Sequence, residues 1–128
     1  MLEKNRVLLV EDDAILRELM TLLLEGHGYF VHAVCHGREA VDVLRDDTYF
    51  GLILLDMMMP EMSGLQFLQW LRAECPQPLP VLCMTAMLKP YGRDDALQAG
   101  ANDIIYKPVD SATLLHKVDT MIGQSTAP

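Results

Sequence analysis

The stretch that decides the fold is Val7-Leu8-Leu9-Val10, followed at once by Glu11-Asp12-Asp13. It is a short run, apolar at every position, that stops on three acids. Leu52-Ile53-Leu54-Leu55 repeats the pattern and stops on Asp56, and Val81-Leu82-Cys83-Met84, opened by Pro80, stops on Thr85-Ala86. Tyr29 to Val34 and Asp103 to Tyr106 are weaker runs of similar length, the second leading into Lys107-Pro108. Runs with no polar alternation are the mark of strands buried on both faces, which is where a parallel sheet covered by helices places them.

Helical patterns fill the intervals. Ile15, Leu16, Leu19, Met20, Leu22 and Leu23 form an apolar stripe closed by Gly26, and Ala40, Val41 and Leu44 form a second. Ser63 with Gln66 reads as a capping box opening a third helix, whose buried side is Phe67, Leu68 and Leu71. Asp110 can cap a last helix, Ser111 to Ile122, that buries Leu114, Leu115, Val118, Met121 and Ile122. A fourth helix, about Tyr91 to Ala99, has only Tyr91, Ala96 and Leu97 as anchors before Gly100 and is the weakest. Strands alternating with helices imply right-handed crossovers and a doubly wound α/β sheet.

Composition narrows the function. A chain of 128 residues, 51% hydrophobic, is long enough for one domain with its own core. That domain is expected over residues 1–123, with 124–128 as a frayed polar tail. No apolar run approaches the ~18 residues of a membrane span, and Glu3-Lys4-Asn5-Arg6 precede too short an apolar run for a signal peptide. A cytoplasmic protein with no membrane partner is expected. The net charge of −8 opposes direct binding of nucleic acid. Cys35, Cys75 and Cys83 are odd in number and in no metal-like spacing, so neither a disulfide framework nor a zinc site is expected.

In a doubly wound sheet the loops at the carboxyl ends of the strands form the ligand crevice. Glu11, Asp12, Asp13, Asp56, Thr85 and Lys107 all fall at that edge. Taken singly they are ordinary: acids before a helix cap it, an aspartate after a strand turns the chain, and a lysine at a strand end is solvated. Taken together they are costly, because two carboxylates ~5 Å apart repel by roughly 3 kcal/mol at an effective dielectric near 20. A divalent cation removes that cost, and an all-oxygen ligand set suits Mg²⁺. Asp56 can then attack a phosphoryl group in line, with Lys107 neutralising one oxygen and Thr85 donating to another.

With those residues in view, the chain resembles the receiver domain of bacterial two-component response regulators along nearly its whole length. The matching stretches are Val7-Leu-Leu-Val-Glu-Asp-Asp13, Asp56-Met-Met-Met-Pro-Glu-Met-Ser-Gly64, Met84-Thr-Ala86, and Ala99-Gly-Ala-Asn-Asp103 leading to Lys107-Pro108. The resemblance implies a flavodoxin-like fold, a five-stranded parallel sheet of order 2-1-3-4-5 with five helices. It implies that Asp56 is the phosphoacceptor, filled from a histidine kinase or a histidine phosphotransfer protein. Glu11, Asp12, Asp56 and the backbone carbonyl of Met58 match the Mg²⁺ ligands. Asp13, one position beyond the acidic pair, is expected to cap the helix. Lys107 and Thr85 match the phosphate-contacting lysine and the switch hydroxyl, and the Lys107-Pro108 bond is expected in cis. Such a domain is a switch, not an enzyme: it catalyses only its own phosphorylation and dephosphorylation. It passes the signal to an effector protein or an attached output domain through the fourth helix, fifth strand and last helix.

This chain departs from the family pattern in places. Ile104 stands where an aromatic ring often moves with the switch threonine, and Tyr106 should face opposite to Ile105. Met58 and Met87 occupy positions that tune hydrolysis in the family; neither can orient a water, which predicts a long-lived phosphoryl group. Lys117 is present in the last helix, but the arginines typical of receivers that dimerise ahead of winged-helix DNA-binding domains are absent, so a hybrid-kinase or stand-alone receiver fits it better.

Three alternatives are weighed. A haloacid-dehalogenase-type phosphohydrolase needs an aspartate where Met58 stands. A flavin-binding module needs a hydroxyl- or glycine-rich loop where Glu11-Asp12-Asp13 stands. A phosphorylation-independent interaction domain would keep the fold without using Asp56. The methionines read as gap filling, the histidines as surface or half-buried groups, Phe67 and Trp70 as packing, and the cysteines as small hydrophobes.

Overall fold

The computed structural model describes residues 5–59, 61–85 and 93–125. In chain order the elements are β1 (Arg6–Val10), α1 (Ala14–Gly26), β2 (Phe30–Val34), α2 (Gly37–Asp46), β3 (Leu52–Asp56), α3 (Gly64–Glu74), β4 (Val81–Thr85), α4 (Arg93–Ala99), β5 (Asp103–Tyr106) and α5 (Ser111–Ser125). The five strands form one sheet of order β2-β1-β3-β4-β5, parallel at every pairing. β3 and β4 end one residue later than their apolar runs suggest, because Asp56 and Thr85 still belong to the ladder: Asp56 pairs with Met84 and Thr85 with Tyr106.

Side-chain alternation along the strands sorts the core into two layers. Leu8, Val10, Ile53, Leu55, Val81, Cys83 and Ile104 point to the face covered by α2, α3 and α4. Val7, Leu9, Leu52, Leu54, Leu82, Met84 and Ile105 point to the face covered by α1 and α5. The central strands are therefore buried on both sides, which is why they carry no polar alternation. β2 lies at an edge, and its Phe30 is exposed.

The helix starts are chemically defined. Asp13 caps α1 by accepting from the amides of Ile15 and Leu16 at 3.0 and 3.1 Å. Ser63 and Gln66 form the reciprocal capping box of α3, at 3.2 and 2.9 Å, and Asp110 accepts from the Thr113 amide at 2.9 Å. α5 continues through Gln124 and Ser125, two residues into the stretch read as tail. Tyr91, expected to anchor α4, lies outside the described residues, as do Ala86 and Met87.

The stripe expected on α1 is corrected. Met20 and Leu24 are buried, with Leu16 and Leu23 packed beside them. Ile15, Leu19 and Leu22 are instead 74%, 59% and 61% exposed. The helix carries two neighbouring apolar tracks, each spaced by four and then three residues, and a single sheet face covers only one of them. Among the cysteines only Cys83 is buried; Cys35 and Cys75 are partly exposed.

Candidate functional site

The same alternation builds the site. Glu11 continues the phase of Val7 and Leu9, Asp56 that of Leu52 and Leu54, and Lys107 that of Ile105. All three are thereby aimed to one side of the carboxyl edge of neighbouring strands. Lys107 Nζ lies 3.1 Å from Asp56 Oδ1 and 3.3 Å from Glu11 Oε1. Ligand oxygens of Glu11, Asp12 and Asp56 lie within 4.8 Å of one another. Among the described residues, the buried polar side chains are Glu11, Asp56 and Thr85, and all three sit at this edge.

Backbone contacts hold the loops that carry them. The Met57 amide donates to the Met84 carbonyl at 3.0 Å and the Lys107 amide to the Thr85 carbonyl at 2.9 Å, extending the ladders beyond the strands. The Gly64 amide donates to the Met57 carbonyl at 3.1 Å. A Cβ at Gly64 would stand 2.6 Å from Met57 Cα and 2.9 Å from the Asp56 carbonyl oxygen, so the start of α3 closes on the Asp56 loop only because that residue has no side chain. Glu61, in the same loop, adopts a left-handed φ of 67°.

The pocket is electrostatically unbalanced. Burial, then the charge of Asp56, pushes the Glu11 carboxyl up to about 7. Burial likewise raises the Asp56 carboxyl, against the hydrogen bonds and the Lys107 charge that favour its ionised form. For Lys107, burial works against the charge, but the two carboxylates outweigh it and raise the ammonium. Among the described residues, one cation thus faces a buried carboxylate pair with Asp12 at its rim. This oxygen-only donor set, short of positive charge, fits a hard dication such as Mg²⁺.

Each residue singled out in the sequence can now be placed. Glu11, Asp12, Asp56 and Lys107 are brought together. Asp13 is the helix cap, as expected. The Met58 amide donates to Asp56 Oδ1 at 3.1 Å, and its side chain points outward, 54% exposed. Thr85 ends β4 one position past the register partner of Asp56, buried, with its carbonyl tied to the Lys107 amide. The Lys107-Pro108 bond is cis. Ile104 packs beneath the α2–α4 layer and Ile105 beneath α1 and α5, while Tyr106 is partly exposed.

The sequence reading missed Arg17. Its guanidinium donates to the carbonyls of Glu11 at 2.9 Å and Asp12 at 3.4 Å, bracing the acidic loop from the first turn of α1. A cation four residues after the Asp13 cap was the available signal.

The family model described as "Response regulator receiver domain" matches residues 7–119. The transcriptional regulatory protein HprR of Escherichia coli is 38% identical over 122 residues, covering 95% of this chain and 53% of that protein. The CpxR homolog of Haemophilus influenzae is 33% identical, covering 97% of this chain and 53% of that protein. The chain therefore spans about half the length of these curated relatives. Among solved structures, the receiver domain of a signal transduction histidine kinase from Syntrophus aciditrophicus superposes with a TM-score of 0.87 at 31% identity, covering 96% of this chain and 93% of that one. The chemotaxis protein CheY4 of Vibrio cholerae superposes at 0.82 with 28% identity, covering 91% and 97%. The family match, the strand order and the buried acidic edge agree: this chain belongs to the response regulator receiver domain family.

Proposed function

We propose that the chain is a phosphorylation-activated switch in which Asp56 is the phosphoacceptor. The observation that carries this is that, among the described residues, two carboxylates are buried against one lysine at the edge where the buried polar side chains gather. An Asp56 oxygen attacks phosphorus in line, and the electron pair of the breaking phosphorus–nitrogen bond returns to the imidazole of a histidine kinase or histidine phosphotransfer protein. Glu11, Asp12, Asp56 and the Met58 backbone carbonyl would hold Mg²⁺, which when bound would neutralise the phosphoryl charge. Lys107, already within reach of Asp56, turns its ammonium to a phosphoryl oxygen, and the Thr85 hydroxyl donates to another.

The added charge is roughly one unit beyond the carboxylate it replaces. Drawing Thr85 towards it reshapes the surface of α4, β5 and α5, which an effector protein or attached output domain reads. A transcriptional regulator matches this chain in sequence and a histidine kinase receiver domain matches it in fold. The apolar, outward-pointing Met58 orients no water, which favours a long-lived phosphoryl group. Among the described residues no helix is long and apolar enough to cross a membrane; the −8 charge favours protein partners over nucleic acid, and a cytoplasmic location belongs to this reading.

Incubation with acetyl phosphate and Mg²⁺ should raise the intact mass by one phosphoryl group, with no increment in Asp56→Asn or without Mg²⁺. An unchanged mass for the wild-type chain would overturn this proposal and favour an interaction domain independent of phosphorylation.

A further inference from the structure

β2 ends at Val34, whose carbonyl accepts the Glu11 amide at 3.1 Å, and the chain then turns into α2 through Cys35 and His36. Here the Glu39 side chain folds back. Its Oε1 accepts from the Cys35 amide at 2.7 Å and lies 3.0 Å from Cys35 Sγ. His36 Nδ1 accepts from the Glu39 amide at 3.3 Å. A thiol, an imidazole and a carboxylate each offer a ligand atom, and these atoms lie within 4.8 Å of one another. We propose that Cys35, His36 and Glu39 form a transition-metal site whose fitting ion is Zn²⁺.

Helix capping accounts for part of this arrangement and leaves part over. The Nδ1 contact of His36 and the reach of Glu39 to the Cys35 amide cap α2 without any thiol. The cysteine adds a soft donor on the same carboxylate. Sulfur, nitrogen and oxygen together suit Zn²⁺, whereas Mg²⁺ takes oxygen, so this site and the Glu11–Asp12–Asp56 pocket differ in the ion they select. A tetrahedral zinc ion holds its ligand atoms ~3–4 Å apart, so a modest contraction of the triad suffices. Cys35 and His36 are partly exposed and Glu39 is exposed, which leaves a coordination position to water.

Charge and protons balance. Cys35 binds a metal as the thiolate, so uptake releases its thiol proton. Thiolate and carboxylate then offset the dication. The His36 lone pair cannot serve the Glu39 amide and a metal at once, so uptake costs one capping bond, about 1 kcal/mol. His36 also lines a cleft of about 180 Å³ with Glu61 and Met62 of the loop after Asp56, placing the triad beside the phosphoacceptor loop.

The test is titration of the untagged, reduced chain with Co²⁺ and then Zn²⁺. One equivalent of Co²⁺ should give a sulfur-to-cobalt charge-transfer band that Zn²⁺ abolishes and excess Mg²⁺ leaves intact. Cys35→Ser should remove the band and weaken Zn²⁺ binding at least ~100-fold, and His36→Ala and Glu39→Gln at least ~10-fold each, since even outer-shell changes cost that much. Cys75→Ser and Asp12→Asn should keep the band. Absence of the band, a band that survives Cys35→Ser, or Zn²⁺ affinity unmoved by both His36→Ala and Glu39→Gln would each overturn the proposal. Circular dichroism of each variant separates lost ligation from lost folding.

Discussion

Raising the pH of the metal-free protein should weaken it in a particular window. The Glu11 carboxyl moves from an ordinary 4.5 to about 7 in the folded chain, through burial first and the Asp56 charge second. The folded state therefore holds a proton that the unfolded chain has already released. That stabilisation is present in full below 4.5 and disappears as the pH climbs to about 7. At ~1.4 kcal/mol per pH unit the gap amounts to roughly 3 kcal/mol, or ~10 °C in Tm for a domain of this size.

Asp56, whose carboxyl burial also raises, shares the window with Glu11; the lowered carboxyls and Lys107 leave it clear. Asp47, Asp103, Asp110 and Asp119 and Glu39 are all held below their ordinary values, so what they contribute as the pH rises is complete by about the ordinary carboxylate range. Lys107 is raised, and its contribution is lost only in the alkaline range. Glu11→Gln cannot titrate and should flatten the decline; Asp56→Asn should reduce it, because the two carboxyls share the cost. Mg²⁺ should stabilise the wild type strongly at about pH 8 and little at about pH 5, where protons occupy the site instead. The assay is thermal denaturation by circular dichroism across the window, with and without Mg²⁺. Parallel Tm curves for wild type and Glu11→Gln, or equal Mg²⁺ stabilisation at both pH values, would refute the reasoning.

Two further outcomes concern packing. Gly64→Ala should cost ~1–3 kcal/mol, because the new methyl meets backbone of Met57 and Asp56 that cannot swing aside, and should slow labelling of Asp56 by acetyl phosphate; Gly123→Ala, with nothing within 4 Å, should instead stabilise by up to ~1 kcal/mol in denaturant melts. On α1, Leu24→Ala should cost ~2–5 kcal/mol and the exposed Leu22→Ala no more than ~0.5 kcal/mol, which urea midpoints would read directly.

What was legible in the sequence follows from how local the cause is. Leu52 to Leu55 read as a strand because both faces are buried, and the caps at Asp13, Ser63 and Asp110 read correctly because a side chain meets amides two or three residues away, whereas His36, which caps α2, went unread. The meeting of Glu11, Asp56 and Lys107 was legible once strand phase and parallel order were assumed, since period-two alternation aims all three alike. α1 was less legible: Leu16, Met20 and Leu23 and the neighbouring Ile15, Leu19 and Leu22 are equally apolar, and only the tertiary packing selects one track. The Cys35–His36–Glu39 contact was invisible to a count of cysteines, because two of its three members are other residue types joined by the first turn of a helix. The bracing by Arg17 was hidden for a different reason, since it runs to carbonyl groups, which every residue has.

Under the proposed phosphorylation, burial also decides where the response can go. α3 buries Phe67, Leu68 and Leu71, and each such side chain contributes ~1.5–3 kcal/mol. The described length of α4 buries only Ala96, a single methyl. The hydrogen bonds donated by the Met57 amide to the Met84 carbonyl and by the Lys107 amide to the Thr85 carbonyl keep the strand ends fixed relative to one another, so charge added at Asp56 meets a rigid edge. A few kcal/mol of new electrostatic attraction could not pull α3 from its contacts. It is comparable to, or larger than, what holds the described turns of α4. The compliant element, α4, packs between α3 and β5 on the face of the sheet opposite to that towards which Glu11, Asp56 and Lys107 are aimed.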